Sequence, residues 1–421
     1  MEIEELILNL YKSLKPEVAK VIFPIVNIFR SLNNKPAIPL KEKLCEGKLP
    51  TFSEKTIMIH GVSVGEILSL EYLIKTIKNQ FSDCKIVLTV GTAAGNQVAR
   101  KKYAKLVDDV VYFPIDIYKC CEKFLNALKP VAILIAETEI WPNFAACCKE
   151  KKIPLFIING RISDKSYPTY KKFSKAAHLI LKNYTGIYCQ SELDKGRFIS
   201  LGSNPKNTEL MKNLKFEIEK QICDIDLKAG STKVLVAGST HDGEEAIIAK
   251  VYKQLRAKVI DLKLIIAPRH LNRLEEVKKV LKDENLRFGL RSKGDDLEGT
   301  NNVLILDTMG ELQKIYSLAD IVFIGGSFCN VGGHNPLEAT IYSKPVITGP
   351  NIRNFIDIYA ILQKANAAIV VKDEAMLYPI FEKLISDENC LKTMSKNCEK
   401  CIEENKGALD FIIGKLKEVI K

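Results

Sequence analysis

Val131-Ala132-Ile133-Leu134-Ile135-Ala136-Glu137-Thr138-Glu139-Ile140-Trp141-Pro142-Asn143 sets the pattern of the chain. An unbroken apolar run ends in two closely spaced carboxylates, and a proline follows where a helix can begin. An apolar run with no polar alternation predicts a strand buried on both faces, the signature of a parallel sheet covered by helices. Pro142 suits the first turn of the next helix, where its missing N–H costs nothing. Working outward, the same strand–turn–helix unit recurs. One set of strands is predicted at Thr56–Val64, Lys85–Val90, Val110–Phe113, Val131–Ala136, Pro154–Ile158 and Gly186–Cys189. A second set is predicted at Lys233–Ala237, Lys263–Ala267, Asn302–Leu306, Ile321–Ile324, Pro345–Thr348 and Ala367–Val371. The mixed-charge stretch Phe216–Thr232 between them reads as a linker. The chain has 421 residues, which suits two domains of about 200 residues each. The expected fold class is α/β, with two Rossmann-like, doubly wound domains facing a central cleft and ligands at the carboxyl ends of the strands. The expected boundaries are 1–50 for an N-terminal region, 51–222 for the first domain and 223–421 for the second.

Bulk properties narrow the function. A net charge of +11 from 62 Lys and Arg suggests an anionic partner: nucleic acid, a phospholipid surface or a phosphorylated substrate. The twelve cysteines show no paired zinc-finger spacing and read as free buried thiols. The N-terminus lacks the pattern of a signal peptide. Its most apolar run, Val21–Phe29, covers nine residues between Lys20 and Arg30, against roughly 20 for a spanning helix. Val18, Val21, Ile22, Ile25, Val26 and Phe29 recur at helical spacing among Lys12, Lys15, Lys20 and Arg30. That describes an amphipathic helix kinked near Pro24, which either docks on the protein itself or lies in a membrane interface.

The chemistry-bearing motifs sit at predicted strand ends. In His60-Gly61-Val62-Ser63-Val64-Gly65-Glu66, with the helix expected near Ile67, Glu66 has two possible uses. It can take a proton from a sugar hydroxyl as general base, or stabilise the helix N-terminus. Glu137 and Glu139 fall on one face if the backbone is still extended; the alternative is a surface pair capping the following helix. Arg161 in Asn159-Gly160-Arg161-Ile162-Ser163 can grip a carboxylate or phosphate, or lie in a solvated loop. In the second half, Ala237-Gly238-Ser239-Thr240-His241-Asp242-Gly243-Glu244-Glu245 and Ala267-Pro268-Arg269-His270 aim small residues and cations at one crevice. Met309-Gly310-Glu311 opens a later helix. Gly325-Gly326-Ser327-Phe328 through Gly332-Gly333-His334-Asn335-Pro336-Leu337-Glu338, with four glycines in nine residues, reads as a phosphate cradle. Asn335, Pro336 and Glu338 also form an orderly helix start, while Glu338 is placed to accept from ribose hydroxyls.

Taken in order, V-S-V-G-E, E-T-E-I-W-P-N, N-G-R-I-S, G-S-T-H-D-G-E-E, A-P-R-H, M-G-E and G-G-H-N-P-L-E-A resemble the bacterial 3-deoxy-D-manno-octulosonic acid (Kdo) transferases, which are GT-B glycosyltransferases of lipopolysaccharide assembly. The likeness covers roughly residues 55 to 360. It implies transfer of Kdo from CMP-Kdo to the glucosamine of a lipid A precursor, without a metal or other cofactor. It implies Glu66 as base, Glu137 and Lys215 as transition-state supports, and Pro268, Arg269, Met309, Gly310, Glu311, Asn335, Pro336, Leu337 and Glu338 as CMP contacts. The implied partners are CMP-Kdo, a phosphorylated lipid A precursor and an anionic membrane surface rather than nucleic acid. The implied location is the cytoplasmic face of the inner membrane, peripheral or anchored through the N-terminus. Family members commonly carry an Arg-rich loop before the first motif; here the matching stretch, Lys41 to Pro50, offers Lys41, Lys43 and Lys48.

Overall fold

A computed structural model describes residues 3–33, 36–225, 227, 232–259, 261–298 and 302–420. Of the linker expected at Phe216–Thr232, residues 226 and 228–231 lie outside the described residues. Two compact units result: Met1–Glu217 with Lys406–Lys421, and Ile218–Asn405.

The first unit holds strands β1 (Thr56–Gly61), β2 (Lys85–Val90), β3 (Asp109–Tyr112), β4 (Pro130–Ala136), β5 (Leu155–Gly160), β6 (Gly186–Cys189) and β7 (Thr208–Leu210). They form one sheet in the order β3-β2-β1-β4-β5-β6-β7, with every neighbouring pair parallel. The second unit holds β8 (Val234–Thr240), β9 (Lys263–Pro268), β10 (Phe288–Leu290), β11 (Val303–Ile305), β12 (Ile321–Ile324), β13 (Val346–Thr348) and β14 (Ala368–Val370). Their order is β10-β11-β9-β8-β12-β13-β14, again all parallel. Each sheet therefore has a switch point, between β1 and β4 and between β8 and β12; in the second sheet β11 also returns to lie between β10 and β9. At such a switch point the connections leave on opposite sides, and a crevice opens at the carboxyl ends of the two strands.

The twelve apolar runs all become strands; β1 and β5 are buried along their whole length, while the edge strands β3 and β14 are only partly buried. The two strands without an apolar run, β7 and β10, have three residues each and pair on one side. The last helix, Ala408–Val419, departs from the expected boundary. Ala408, Ile412, Ile413 and Leu416 join the core of the first unit beside Leu73 and Ile77. Its start is fastened there by Glu217, whose Oε1 accepts from Gly407 N at 2.7 Å and Ala408 N at 2.6 Å. All twelve cysteines are free thiols, nine of them buried.

Two helices open the chain, Ile3–Lys12 and Pro16–Leu32, and Pro24 lies inside the second. The second is held along one edge. Ala19 packs with Leu44, Ile117 and Cys120, and Asn27 exchanges two hydrogen bonds with Ile38. The remaining apolar stripe is not docked on the protein. Val21, Ile22, Ile25, Ile28, Phe29 and Leu32 are exposed, from 49% for Ile22 to 74% for Leu32. A contiguous apolar face of that kind on a soluble surface is costly unless something covers it. Among the described residues no helix is long and apolar enough to cross a membrane.

Candidate active site

At the first switch point, β1 turns directly into a helix that starts at Val64, three residues earlier than expected. The reason is local: Ser63 is the N-cap, and Ser63 and Glu66 form a reciprocal capping box that satisfies orphan N–H groups at the helix start. Glu66 Oε2 accepts from Val62 N at 2.8 Å. Its Oε1 accepts from Ser63 N at 3.2 Å and Ser63 Oγ at 2.7 Å. Both uses predicted for Glu66 are therefore compatible. The capping use is realised, and three hydrogen bonds leave the carboxylate one of its roughly four acceptor directions.

Beyond β4 the backbone is not extended. Glu137 has φ +59°, so strand alternation does not decide where its side chain goes, and that premise of the sequence reading fails. A left-handed residue other than glycine costs of order 1–3 kcal/mol and persists where the surroundings over-determine it. The two carboxylates remain neighbours, since the charge on Glu137 acts on Glu139. Nor does either acid cap the helix Pro142–Glu150. Its first free N–H groups, on Asn143 and Phe144, donate to Asp116 at 3.1 and 2.8 Å. Asp116 reaches across from the segment after β3, a partnership invisible in the local sequence.

Glu139 is pushed up to about 7, by burial first and by the charge of Glu66 second, against the opposing pull of Trp141 and Lys43. Glu66, Glu137, Glu139, Lys43 and Trp141 thus converge at the β1/β4 switch. The buried Trp141 indole N–H makes no well-aligned hydrogen bond among the described residues, although it lies near enough to Glu139 to favour its ionised form. Glu139, Lys43 and Trp141 line a cavity of about 430 Å³ with His60, Phe113 and, from the second N-terminal helix, Phe23 and Arg30. His60 is held to about 3 by burial and the Lys43 charge, against its contact with Thr89, so its ring is neutral at physiological pH. Burial lowers Lys43, whose Nζ donates to Phe113 O at 3.4 Å. Lys215 lies in the turn after β7. Asn213 Oδ1 accepts its N–H at 3.0 Å, and Asn159 Oδ1 anchors the preceding Leu214 N at 3.1 Å. Asn159, at φ +51°, and half-buried Arg161 end β5 on the same edge of the sheet.

At the second switch point the structure corrects the phosphate-cradle reading. Buried Glu244 already fills the cradle. Its Oε2 accepts from Gly326 N at 2.7 Å and His241 N at 2.9 Å. Its Oε1 accepts from Ser327 N at 2.9 Å and Phe328 N at 3.0 Å. Gly332 and Gly333 donate to Gly326 O at 3.1 and 2.8 Å. These amides are satisfied inside the protein, and the predicted cations and polar side chains lie beside them at the strand ends. Arg269 is exposed, with its N–H on Thr240 O at 2.9 Å. Pro268 closes β9. Met309 is 77% exposed, and Gly310 takes φ +86°. Glu311 pairs with Arg291 at 3.2 Å and with Thr308. Asn335 Oδ1 accepts from Leu337 N at 3.1 Å, Pro336 and Leu337 are buried, and Glu338 is half-buried.

A family model described as "3-Deoxy-D-manno-octulosonic-acid transferase (kdotransferase)" matches residues 39–218. A bifunctional glycosyltransferase/methyltransferase of Fusobacterium nucleatum is 38% identical over 350 residues, which are 80% of this chain and 53% of that protein. The chain thus spans about half the length of that relative. A 3-deoxy-D-manno-octulosonic acid transferase of Rickettsia bellii is 31% identical over 414 residues, covering 96% of this chain and 97% of its own. In fold alone, MurG of Acinetobacter baumannii superposes on 86% of this chain and 99% of its own with a TM-score of 0.55 at 12% identity.

Proposed function

This chain belongs to the Kdo transferase family, glycosyltransferases of GT-B fold, and on that premise we propose that it transfers Kdo from CMP-Kdo to a glucosamine hydroxyl of a lipid A precursor. The observation that carries the chemistry is the convergence of Glu66, Glu137 and Glu139 at the β1/β4 switch, where burial first, and then the charges of Glu66 and Glu137, push Glu139 up to about 7. A sugar hydroxyl becomes a competent nucleophile only as its proton leaves, and a positioned carboxylate supplies about 10²–10⁴-fold by taking it. Glu66 is that base. Its capping bonds hold the carboxylate in one orientation with an acceptor direction to spare. The hydroxyl oxygen attacks the anomeric carbon of Kdo, the bond from that carbon to the phosphate oxygen breaks, and CMP departs with the electron pair. Glu137 and Lys215 support the charge that develops at the sugar. Arg269 meets the leaving phosphate, a use of preorganised charge that strengthens as the bond breaks. Pro268, Met309, Gly310, Glu311 and Asn335 to Glu338 contact the nucleotide, with Glu338 on the ribose. No step is assigned to a metal.

The acceptor reading rests on the 430 Å³ cavity, of a size for a sugar head group rather than acyl chains. Phe23 and Arg30 line it from the helix whose opposite side exposes Ile25, Ile28 and Phe29. A phosphorylated, acylated lipid fits that combination, with the sugar in the cavity and the chains left in an anionic membrane on which the helix lies. The membrane is the cytoplasmic face of the bacterial inner membrane. A second reading assigns the proton to Glu139, because a base titrating near 7 is matched to neutral pH. Product analysis with CMP-, UDP- and GDP-sugars and a tetraacyl lipid A precursor tests the function. Sugar transfer from CMP-Kdo alone is expected, and transfer from another nucleotide sugar overturns the donor assignment.

A further inference from the structure

Three of the chain's five histidines meet at the carboxyl ends of adjacent strands: His241 after β8, His270 after β9 and His334 after β12. The rings of His241 and His334 lie nearly parallel and edge to edge, at 8° with centroids 5.1 Å apart and their Nε2 atoms 2.8 Å apart. His270 stands edge-on to His241 at 5.4 Å. Gly326 allows this approach: at φ +75° a Cβ there would meet His334 Cδ2 at 2.9 Å. Two ligands of one tetrahedral zinc stand roughly 3.3 Å apart at bond lengths of about 2.0 Å, so this pair is closer than metal ligation sets it. One Nε2–H must instead donate to the other Nε2. The neutral pair therefore has one ring protonated on Nε2 and the other on Nδ1.

We propose that His241 and His334, flanked by Arg269 and His270, bind an anionic oxygen group of the donor, its phosphate or its sugar carboxylate, and take up one proton as they do so. The inference rests on the donor reading above. Adding a proton from solvent to the free Nδ1 gives a shared cation in which both Nδ1–H groups point outward as donors, a charge-assisted clamp. The N–H groups of Gly326, Ser327, Phe328, Gly332 and Gly333 cannot serve, since Glu244 and Gly326 O occupy them.

The surroundings keep the resting pair neutral and ready. Burial holds His334 to about 4, aided by Arg269, His241 and His270. Burial also lowers His241, with His270, Arg273 and Arg269 acting in the same direction and Glu244 opposing. Glu244 is tied to the cradle, and Arg273 to Glu245, Asp242 and Glu276. An arriving anion relieves this crowding of cations and raises both imidazoles. Bound pKa above free pKa means proton uptake, so affinity falls as pH rises through the interval between them.

Isothermal titration of the full chain with cytidine, CMP and CMP-Kdo, in two buffers of different ionisation enthalpy between pH 5.5 and 8, counts the protons. Wild type is expected to take up close to one proton per CMP or CMP-Kdo at the acid end and none with cytidine. His241→Gln and His334→Gln keep one hydrogen bond without the charge. They are expected to abolish uptake and weaken binding by about 10–100-fold. Unchanged cytidine affinity shows that they remain folded. Loss for both CMP and CMP-Kdo identifies the phosphate, and loss for CMP-Kdo alone identifies the carboxylate. Uptake that persists in both variants, as when the CMP phosphate itself takes the proton, overturns the histidine assignment. Wild type that binds no CMP overturns the donor reading instead.

Discussion

Replacing Glu66 by Gln separates a base from a cap, because the structure shows what each role would lose. As a cap, Glu66 accepts three hydrogen bonds. Gln can keep those on one oxygen, but its amide NH₂ then faces the N–H of Val62, leaving that donor unsatisfied at a cost of about 1–3 kcal/mol. In a unit of this size 1 kcal/mol moves the midpoint by about 2–4 °C, so a drop of several degrees is expected from capping alone. Ser63→Ala supplies the matched control. It removes the hydroxyl that both donates to Glu66 and accepts from its N–H, at about 0.5–2 kcal/mol for a lost cap, yet leaves the carboxylate in place. As a base, Glu66 contributes at least about 10²-fold to kcat, or about 2.7 kcal/mol of the barrier. The assay is turnover of CMP-Kdo with a lipid A precursor in detergent, alongside thermal denaturation. Both variants should melt earlier, and only Glu66→Gln should lose kcat. Equal and small kcat losses in the two would refute the base assignment and leave Glu66 as a cap.

Glu338→Gln is expected to raise the KM for CMP-Kdo with little change in Tm, by a loss of roughly 1–3 kcal/mol if the carboxylate accepts from the ribose; a lower Tm at constant KM would give the residue to its helix alone. Glu139 titrates near 7 in the fold and near 4.5 in the unfolded chain, so the folded state binds more protons between these values and this group's contribution to stability falls as pH rises through that window. Glu139→Gln should therefore gain Tm relative to wild type at pH 8 but not at pH 5, and equal differences at both would contradict the shift. Ile25→Asp with Phe29→Asp, at positions 54% and 63% exposed, should release the protein from anionic vesicles in co-sedimentation while sparing activity on a detergent-dispersed acceptor. Binding that ignores lipid charge and survives high salt would mean insertion instead.

Strand positions were legible because a strand buried on both faces leaves an unbroken apolar run, and all twelve such runs pair in the sheets. Three-residue edge strands such as Thr208–Leu210 carry no such run, and their pairing is set by the neighbour they meet. The switch-point acids were legible as residues but not as a geometry. Left-handed Glu137 breaks the alternation used to place it, and the cap on Pro142–Glu150 comes from Asp116, which is 26 positions before the helix begins. The glycine cradle misled because glycine spacing shows that an anion can approach amides without showing which anion. Here it is Glu244, the first residue of the helix after β8. Nothing in local pattern links Ala408–Val419 to the first sheet, since a returning helix is fixed by long-range packing.

The proposed reaction is tested most directly by mass spectrometry of the lipid after incubating purified wild type and Glu66→Gln with CMP-Kdo and tetraacyl lipid A precursor, with and without EDTA. The account predicts a lipid heavier by one or more whole Kdo residues, with CMP released in step, equally with EDTA and at least about 10²-fold more slowly in the variant. An unmodified lipid with wild-type protein, or a product formed as fast by Glu66→Gln, would contradict it.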